Sequence, residues 1–415
     1  MGIKLNPVRC VFLTPFSLPV KSPTNGTHLR VWMWLDSLVA RGDSVDVLCL
    51  EPAGARPEFL PVDAGLNIAG APVPAAGTPN EDFYLKTLRR ALDGRVWAKR
   101  FMQPETLAAV TDRIEAIDPD YIVLFRLYSA CVAERIGLFD KPLRTRPILL
   151  DLDDIESHAL FRQALGSPRF GADRLRVLEV PALRRVENRL IRASTRVSIC
   201  SDVDRARLER RRLRTPVEVF RNLIPNAPKD SDVHPLPKAP NLLFLGNAGH
   251  IPNAQGIKWF VRESWPRVRA ACPHATLTVA GTGFDLMRDD FPRDVGITVR
   301  GFVEDLTQLY AQARIALAPL KSGSGTRLKL LEAALFARPA VSTRIGAEGL
   351  ELVDGKALTV ADTPEAFADA CVRLINDDDK AQKMARSARE QVLALYSPRA
   401  NRESIDRTIR AMTGK

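Results

Sequence analysis

Short, continuous apolar runs alternate along the sequence with segments whose apolar residues recur at helical spacing. The first two runs, residues 8–13 and 44–50, flank a segment of helical periodicity at 27–41, and Gly42 predicts where that helix stops. Because apolar residues predominate in these runs, they predict parallel strands that are covered on both faces. Further strands of this kind are predicted at 121–125, 148–150, 197–200 and 217–220. This half of the chain is therefore predicted to be an α/β domain.

The pattern restarts after a proline-rich segment. Prolines recur through residues 226–240, where they exclude a helix interior or a central strand, so we predict a linker there. It separates a first domain at 1–225 from a second α/β domain at 241–395, which residues 396–415 follow as a final helical segment. The strands predicted for the second domain are 241–245, 276–280, 297–300, 315–319 and 340–342. Its predicted helices are 255–271, 305–312, 326–336, 364–376 and one from residue 379 onward.

Composition indicates an ordinary folded protein with a local excess of positive charge. Apolar residues make up 46% of the 415 residues and charged residues 26%, which excludes disordered and fibrous classes. The formal net charge of +11 favours anionic partners. Much of it is local, because residues 162–221 contain 16 arginines and 7 acidic residues. The aromatic interleaving of a nucleic-acid surface is missing from that segment, so we expect no nucleic-acid partner.

Cysteine usage and the hydropathy pattern bear on the cellular compartment. The six cysteines are scattered without a CxxC pair, which predicts reduced thiols rather than disulfides or a zinc site. No apolar run approaches the roughly 18 to 20 residues that span a bilayer, and the first residues lack the pattern of a signal peptide. We therefore expect a cytoplasmic protein.

One segment after residue 315 has the features of an anion site. A predicted strand leads into the loop KSGSGTR and then into a helix. Gly323 and Gly325 permit positive φ and close approach of the backbone, and the N–H groups of the next helical turn point at a bound anion. Arg327 and Lys329 add positive charge where a helix normally favours acids. Glu332, three residues beyond Lys329, suits a carboxylate that accepts hydrogen bonds from ribose hydroxyls.

This segment, continued through LEAALFARPAVSTRIGAEGL, resembles the corresponding region of the GT-B glycosyltransferases of glycosyltransferase family 4. Three further blocks resemble that family in the right order: LLFLGNAGHIPNAQGIKWF at 242–260, LTVAGTG at 277–283 and GFVEDLTQLYAQA at 301–313. The resemblance implies a GT-B fold, in which two Rossmann-like, doubly wound domains face an interdomain cleft. It also implies that the helix within 396–415 crosses back to the first domain.

The implied activity is transfer of a sugar, with retained configuration and without a metal or other cofactor, from a nucleotide diphosphate sugar to a glycan or lipid-linked acceptor. The second domain would bind the donor, and the first would bind the acceptor. Polysaccharide or glycolipid assembly is the implied setting. Donor-binding residues carried over from the resemblance are Gly246, Asn247, Gly249, His250, Gly281, Phe302, Val303, Gly323, Ser324, Gly325, Thr326, Arg327, Leu328 and Glu332. Arg327 and Lys329 would act in catalysis by stabilising the departing diphosphate.

Two positions depart from the family pattern. Ser324 stands where the first of two spaced glutamates is usual, and Asn247 stands where an arginine often follows the first loop glycine. A non-catalytic nucleotide-sugar-binding protein of the same fold therefore remains an alternative. A nucleotide-sugar epimerase is a second alternative, although it would need an acid and a base around the sugar.

Candidate acceptor residues lie in the first domain. Gly26, Thr27 and His28 stand at the first turn between strand and helix, and the stretch DLDDIES follows the strand at 148–150. Asp153 is predicted to bind the acceptor and Asp154 to act on its hydroxyl. Capping of the next helix is an equal alternative for these aspartates. The arginine-rich helices predicted at 183–192 and 205–214 fit an anionic membrane surface, a pyrophosphate-linked lipid acceptor or a solvated face.

Overall fold

A computed structural model describes residues 8–18, 26–51, 66–70, 83–140, 146–166, 172–222, 227–292, 295–323 and 327–415. The chain divides into two compact units, of which the first comprises Met1–Asn222 and Pro398–Lys415 and the second Leu223–Ser397. Each unit contains one parallel sheet with helices. The predicted α/β fold with two parallel-sheet domains is thus confirmed.

The sheet of the first unit has seven strands in the order β3-β2-β1-β4-β5-β6-β7. The strands are β1 (Arg9–Thr14), β2 (Ser44–Cys49), β3 (Leu66–Gly70), β4 (Tyr121–Phe125), β5 (Ile148–Asp151), β6 (Arg196–Ile199) and β7 (Val217–Val219). The helices are α1 (Gly26–Arg41), α2 (Phe83–Leu92), α3 (Pro104–Ile117), α4 (Arg126–Arg135), α5 (Glu156–Gly166), α6 (Val180–Ala193) and α7 (Asp202–Glu209). Strand order reverses between β1 and β4, and ligands of doubly wound sheets bind outside the strand ends at such a point.

The sheet of the second unit has six strands in the order β10-β9-β8-β11-β12-β13. The strands are β8 (Asn241–Leu245), β9 (Thr276–Ala280), β10 (Ile297–Val299), β11 (Ile315–Ala318), β12 (Ala340–Ser342) and β13 (Thr359–Val360). The helices are α8 (Ile251–Trp259), α9 (Trp265–Ala271), α10 (Leu306–Gln312), α11 (Leu328–Leu335), α12 (Arg344–Ala347), α13 (Pro364–Asn376) and α14 (Asp378–Leu395). Here the order reverses between β8 and β11.

Two predicted helices differ from the structure for reasons that the backbone explains. The single helix predicted at 255–271 is α8 and α9 joined by a π-helical segment, Phe260–Ser264. Pro266 can donate no N–H to the preceding turn, and the wider π turn accommodates that loss. The helix predicted at 205–214 ends instead at Glu209, because Arg212 and Arg214 adopt positive φ angles of 52° and 64°.

The last helix, α15 (Pro398–Thr413), belongs to the first unit. Arg402 forms a 2.8 Å ion pair with Asp36 on α1, and the Asn401 carboxamide oxygen accepts a 3.2 Å hydrogen bond from the backbone N–H of Arg221. All six cysteines are free, and all but Cys272 are buried, which agrees with the predicted reduced state. Over the described ranges, none of the helices combines the length and apolarity that crossing a membrane requires.

Candidate functional site

Three loops at the carboxyl ends of β8, β9 and β10 are joined through their backbones. The N–H of Gly281 donates to the carbonyl of Gly301 at 3.0 Å, and the N–H of Ala248 donates to the carbonyl of Thr282 at 2.9 Å. Gly281 has a φ of +122°, and a Cβ there would overlap the carbonyl oxygen of Gly246. Glycine at 281 therefore keeps the loops together, and its role is in packing.

The loop after β8 is held by two asparagines. The side-chain oxygen of Asn247 accepts a 2.8 Å hydrogen bond from the N–H of Gly249, which closes the turn. Asn253, on the first turn of α8, donates from Nδ2 to the carbonyl of Asn247 at 3.0 Å and accepts from Lys329 Nζ at 2.8 Å. Asn253 thus links this loop to α11. The sequence contained no signal for that role.

Positive groups are concentrated beside this loop. Lys329 Nζ lies 4.1 Å from the ring centroid of Phe244, and burial together with Arg327 lowers the pKa of Lys329 to about 7. Burial, Arg327 and Lys329 also lower the pKa of His250. A cationic group that lowers the pKa of its cationic neighbours in this way favours the binding of an anion beside them.

The glycine-rich loop before α11 lies only partly within the described residues. Ser324, Gly325 and Thr326 fall outside them. Gly323 has a φ of +102°, and a Cβ there would lie 3.1 Å from Pro252 Cγ and 3.2 Å from Arg327 Nη2. Arg327 is buried at the N-cap of α11, directly before the half-buried Leu328. The structure therefore brings Gly323 close both to Pro252, on the first turn of α8, and to Arg327.

Glu332 lies on α11, one turn beyond Lys329. Burial raises the pKa of Glu332, while Lys329 and a hydrogen bond from the Tyr310 hydroxyl act in the opposite direction. The Tyr310 ring stacks on Phe336, with centroids 4.6 Å apart. Tyr310 was not predicted from the sequence, yet it orients the carboxylate.

Phe302 and Val303 follow Gly301 in the loop after β10 and differ in their surroundings. Phe302 is 75% exposed, whereas Val303 packs against the hydrophobic core beside β8 and β11. An exposed aromatic face can stack on a planar base. Phe302 is therefore the better placed of the two for contact with a ligand.

In the first unit, Gly26, Thr27 and His28 form the first turn of α1. Burial lowers the pKa of His28. One turn further, the fully buried Arg30 forms a 2.8 Å ion pair with Asp151 at the end of β5. This ion pair fixes α1 against the strand that precedes the predicted acceptor aspartates.

Asp153 and Asp154 belong to a polar cluster at the carboxyl ends of β4 and β5. Asp153 and Arg126 both adopt positive φ, at 57° and 66°, and their side chains form an ion pair at 3.3 Å. Burial and Asp153 raise the pKa of Asp154 to about 7. Since α5 begins at Glu156, both aspartates lie before the residue that directly precedes the helix, and their role stays a prediction. Across the described ranges, no group of three or more His, Cys, Asp or Glu side chains is arranged to hold a metal ion.

The fold is similar to that of several solved structures. Sucrose-phosphate synthase from Thermosynechococcus elongatus has a TM-score of 0.67 at 16% identity, with 98% of this chain and 99% of that chain covered. Anabaena Alr3699/HepE in complex with UDP and glucose has a TM-score of 0.63 at 16% identity, covering 97% and 100%. WaaG, described as a glycosyltransferase involved in lipopolysaccharide biosynthesis, has a TM-score of 0.59 at 15% identity, covering 98% and 99%. The chain therefore has the GT-B fold, as predicted.

The similarity to a known family lies in the second unit. Residues 239–377 match the family model described as glycosyl transferases group 1. This part of the second unit is therefore similar to that family, in agreement with the resemblance to glycosyltransferases stated above. An "Uncharacterized 44.6 kDa protein in cps region" of Klebsiella pneumoniae is 29% identical over 136 residues, or 31% of this chain. The match spans about a third of that relative's length, 35%.

Proposed function

We propose that the protein is a retaining, metal-independent glycosyltransferase of the family 4 type that uses a nucleotide diphosphate sugar. The observation that carries this proposal is the cationic site beside α8 and α11. There Arg327 stands close enough to lower the pKa of both Lys329 and His250, and the half-buried carboxylate of Glu332 lies one turn beyond Lys329. An anion with an attached polyhydroxyl group matches both parts of this site.

The donor would be held by three kinds of contact. Arg327, Lys329 and the first turn of α11 would bind the diphosphate, Glu332 would accept hydrogen bonds from the ribose, and Phe302 would stack on the base. When the bond to the sugar breaks, negative charge develops on the departing diphosphate. Fixed positive groups that face this charge lower the barrier, because they need no reorganisation during the reaction. Protonated Lys329 would supply much of that stabilisation.

The acceptor would bind in the first unit, at the first turn of α1 and at the cluster around Asp153. Asp154 suits exchange of a proton with an acceptor hydroxyl, because its pKa is raised to about 7. We infer a glycan or lipid-linked acceptor in polysaccharide or glycolipid assembly at the cytoplasmic face of a membrane. The cps-region relative and the printed role of WaaG in lipopolysaccharide biosynthesis support this setting.

Thermal melting with nucleotides tests the donor site. Wild type, Glu332→Ala and a control, Glu390→Ala on the exposed surface of α14, would be melted with UDP, GDP, ADP or dTDP, with and without EDTA. A nucleotide at about 100 times its Kd stabilises a protein by roughly 2.7 kcal/mol. We expect one nucleotide to stabilise wild type and the control in both conditions and Glu332→Ala much less. If none stabilises wild type at millimolar concentration, the proposal is wrong.

An assay of sugar transfer distinguishes a glycosyltransferase from the two alternative functions. The non-catalytic alternative rests on Ser324 and Asn247, and it predicts nucleotide binding without sugar release to any acceptor. An epimerase would change the sugar of the donor in the absence of an acceptor. We expect sugar transfer only when an acceptor is present.

A further inference from the structure

Asn253, on the first turn of α8, contacts both the loop after β8 and the first turn of α11. Its side chain is buried, and both ends of its carboxamide are used. Nδ2 donates to the carbonyl of Asn247 at 3.0 Å, and Oδ1 accepts from Lys329 Nζ at 2.8 Å. Because a carbonyl can only accept, the nitrogen must face Asn247 and the oxygen must face Lys329. One amide group therefore fixes the position of the loop and of the ammonium group together.

The end of β8 leaves room for this contact only because residue 246 is glycine. A Cβ at Gly246 would lie 3.0 Å from Asn253 Nδ2 and 3.1 Å from Lys329 Nζ. The backbone after β8, the amide and the ammonium group thus converge on one point. The strand order of the second sheet reverses between β8 and β11, and doubly wound sheets bind ligands outside the strand ends at such a reversal.

The loop after β8 also offers a backbone donor to a ligand. The N–H groups of Gly246 and Ala248 donate to carbonyls of β9 and of the loop that follows it. The N–H of Asn247, which lies between them, has no hydrogen-bond partner among the residues that the structure describes. A free backbone N–H close to a lysine suits the binding of an anion.

Neutral groups hold the ammonium group of Lys329. Besides Oδ1 of Asn253, its neighbour is the ring of Phe244, with the centroid 4.1 Å from Nζ, and the face of such a ring attracts a cation. Within the described part of the chain, no carboxylate forms an ion pair with Lys329. Its positive charge therefore stays available to a bound anion. The titratable groups nearby are Arg327 and Glu332 on α11, His250 directly before α8, and Tyr310 on α10, which is hydrogen-bonded to Glu332.

We propose that Asn253 is a positioning residue of the donor site, which holds Lys329 and the loop after β8 in the arrangement that receives the diphosphate. It acts through Lys329 and need not touch the donor. A neutral amide suits this role, because it accepts a hydrogen bond from the ammonium group without cancelling its charge. The inference rests on the proposed function, since the anion that Lys329 would receive is the diphosphate of the donor.

Two substitutions of Asn253 change the surroundings of Lys329 in opposite ways. Asn253→Asp places a carboxylate beside the ammonium group, whereas Asn253→Leu keeps the size of the side chain and removes both hydrogen bonds. The matched control is Gln255→Glu, which adds the same negative charge at an exposed position of α8. A cooperative melting transition would show that each variant folds.

The first measurement is the titration of Lys329 in the protein without nucleotide. It is followed by NMR of lysines labelled with carbon-13 at Cε, and the signal of Lys329 is the one that is absent from Lys329→Arg. We expect a pKa of about 7 for Lys329 in wild type and an unchanged titration in the control. Asn253→Asp should move the midpoint up by at least about one pH unit, and Asn253→Leu should move it down, because the first favours the charged form and the second disfavours it. A residue that only supports the fold would not produce shifts of opposite sign.

The second measurement is the Kd, by calorimetry, of whichever of UDP, GDP, ADP and dTDP stabilises wild type. At pH 7 we expect Asn253→Asp to bind at least about tenfold more weakly, because a carboxylate now stands beside the anion. Its Kd should change less than about twofold between pH 7 and pH 8.5, since Lys329 stays charged over that range. Asn253→Leu should bind about fivefold more weakly at pH 7, because a smaller fraction of Lys329 is charged. The control should bind as wild type does.

Three results would overturn the proposal. In the first, the titration of Lys329 is the same in wild type and in both Asn253 variants. In the second, both variants bind the nucleotide as tightly as wild type. In the third, Gln255→Glu weakens binding as much as Asn253→Asp. If wild type binds none of the four nucleotides, the proposed function is wrong, and the titration alone then decides whether Asn253 positions Lys329.

Discussion

Lys329 connects the pH of the solution to nucleotide binding. Its pKa is about 7, lowered by burial and by Arg327, and its Nζ donates to Asn253. A bound diphosphate would place negative charge beside the ammonium group and raise that pKa again. Binding above pH 7 therefore requires uptake of a proton, and affinity should fall as pH rises.

The change in Kd with pH can be calculated from the coupling between protonation of Lys329 and nucleotide binding. If the pKa of Lys329 is about 7 in the free protein and above about 9 in the complex, Kd should rise roughly 15-fold between pH 7 and pH 8.5. This corresponds to about 1.6 kcal/mol of binding free energy. The pKa of His250 is lowered from its ordinary value of 6.5, so protonation of His250 contributes little in this range.

Calorimetric titration of the stabilising nucleotide at pH 7 and pH 8.5 measures the Kd at each pH. Repeating each titration in two buffers with different heats of ionisation gives the proton uptake, which should approach one at pH 8.5. Lys329→Arg is the control, because arginine stays charged throughout and should abolish the pH dependence. The reasoning would be refuted if the Kd of wild type did not change with pH. It would also be refuted if the Kd of Lys329→Arg changed with pH as much as that of wild type.

Two further predictions concern stability, measured by urea unfolding. Gly281→Ala should destabilise the protein by more than about 2 kcal/mol, since the new Cβ would meet the carbonyl of Gly246, whereas Gly355→Ala has open space and should cost only about 1 kcal/mol of backbone strain. Equal losses of stability in the two variants would contradict the close approach of residue 281 to the carbonyl of Gly246. Asp151→Asn should cost about 3 to 5 kcal/mol because Arg30 is left buried without its ion pair. Adding Arg30→Met should restore at least half of that loss, and a double variant no more stable than the single one would contradict this account.

Strands were predicted well where both faces of the sheet are covered. The predicted ranges in the second unit agree within one residue with β8, β9, β10, β11 and β12. Their continuous apolar runs follow from burial on two sides. Edge strands give a weaker signal, and the strands predicted above include neither β3 nor β13. In β3 only Leu66 is buried, and both residues of β13 are half-buried.

The candidate site was predictable only in part, for a related reason. Glycines and cations adjacent in sequence, such as Gly323 and Arg327, reveal an anion site by local spacing. Asn253 and Lys329 are 76 residues apart, and their hydrogen bond arises only when α8 and α11 meet beside β8 and β11. Tyr310 likewise approaches Glu332 from another helix. Contacts of this kind depend on topology, which one sequence does not specify.

The balance of charge differs between the polar sites of the two units, and this difference favours different ligands for them. In the second unit, Arg327 disfavours the charged forms of Lys329 and His250, so that a bound anion would relieve an existing cost. In the first unit, each cation of the cluster already faces a carboxylate: Arg30 pairs with Asp151 and Arg126 with Asp153. Such paired charges offer hydrogen-bond donors and acceptors without attracting a further anion. The charge distribution alone therefore favours the diphosphate in the second unit and the hydroxyl groups of an acceptor in the first.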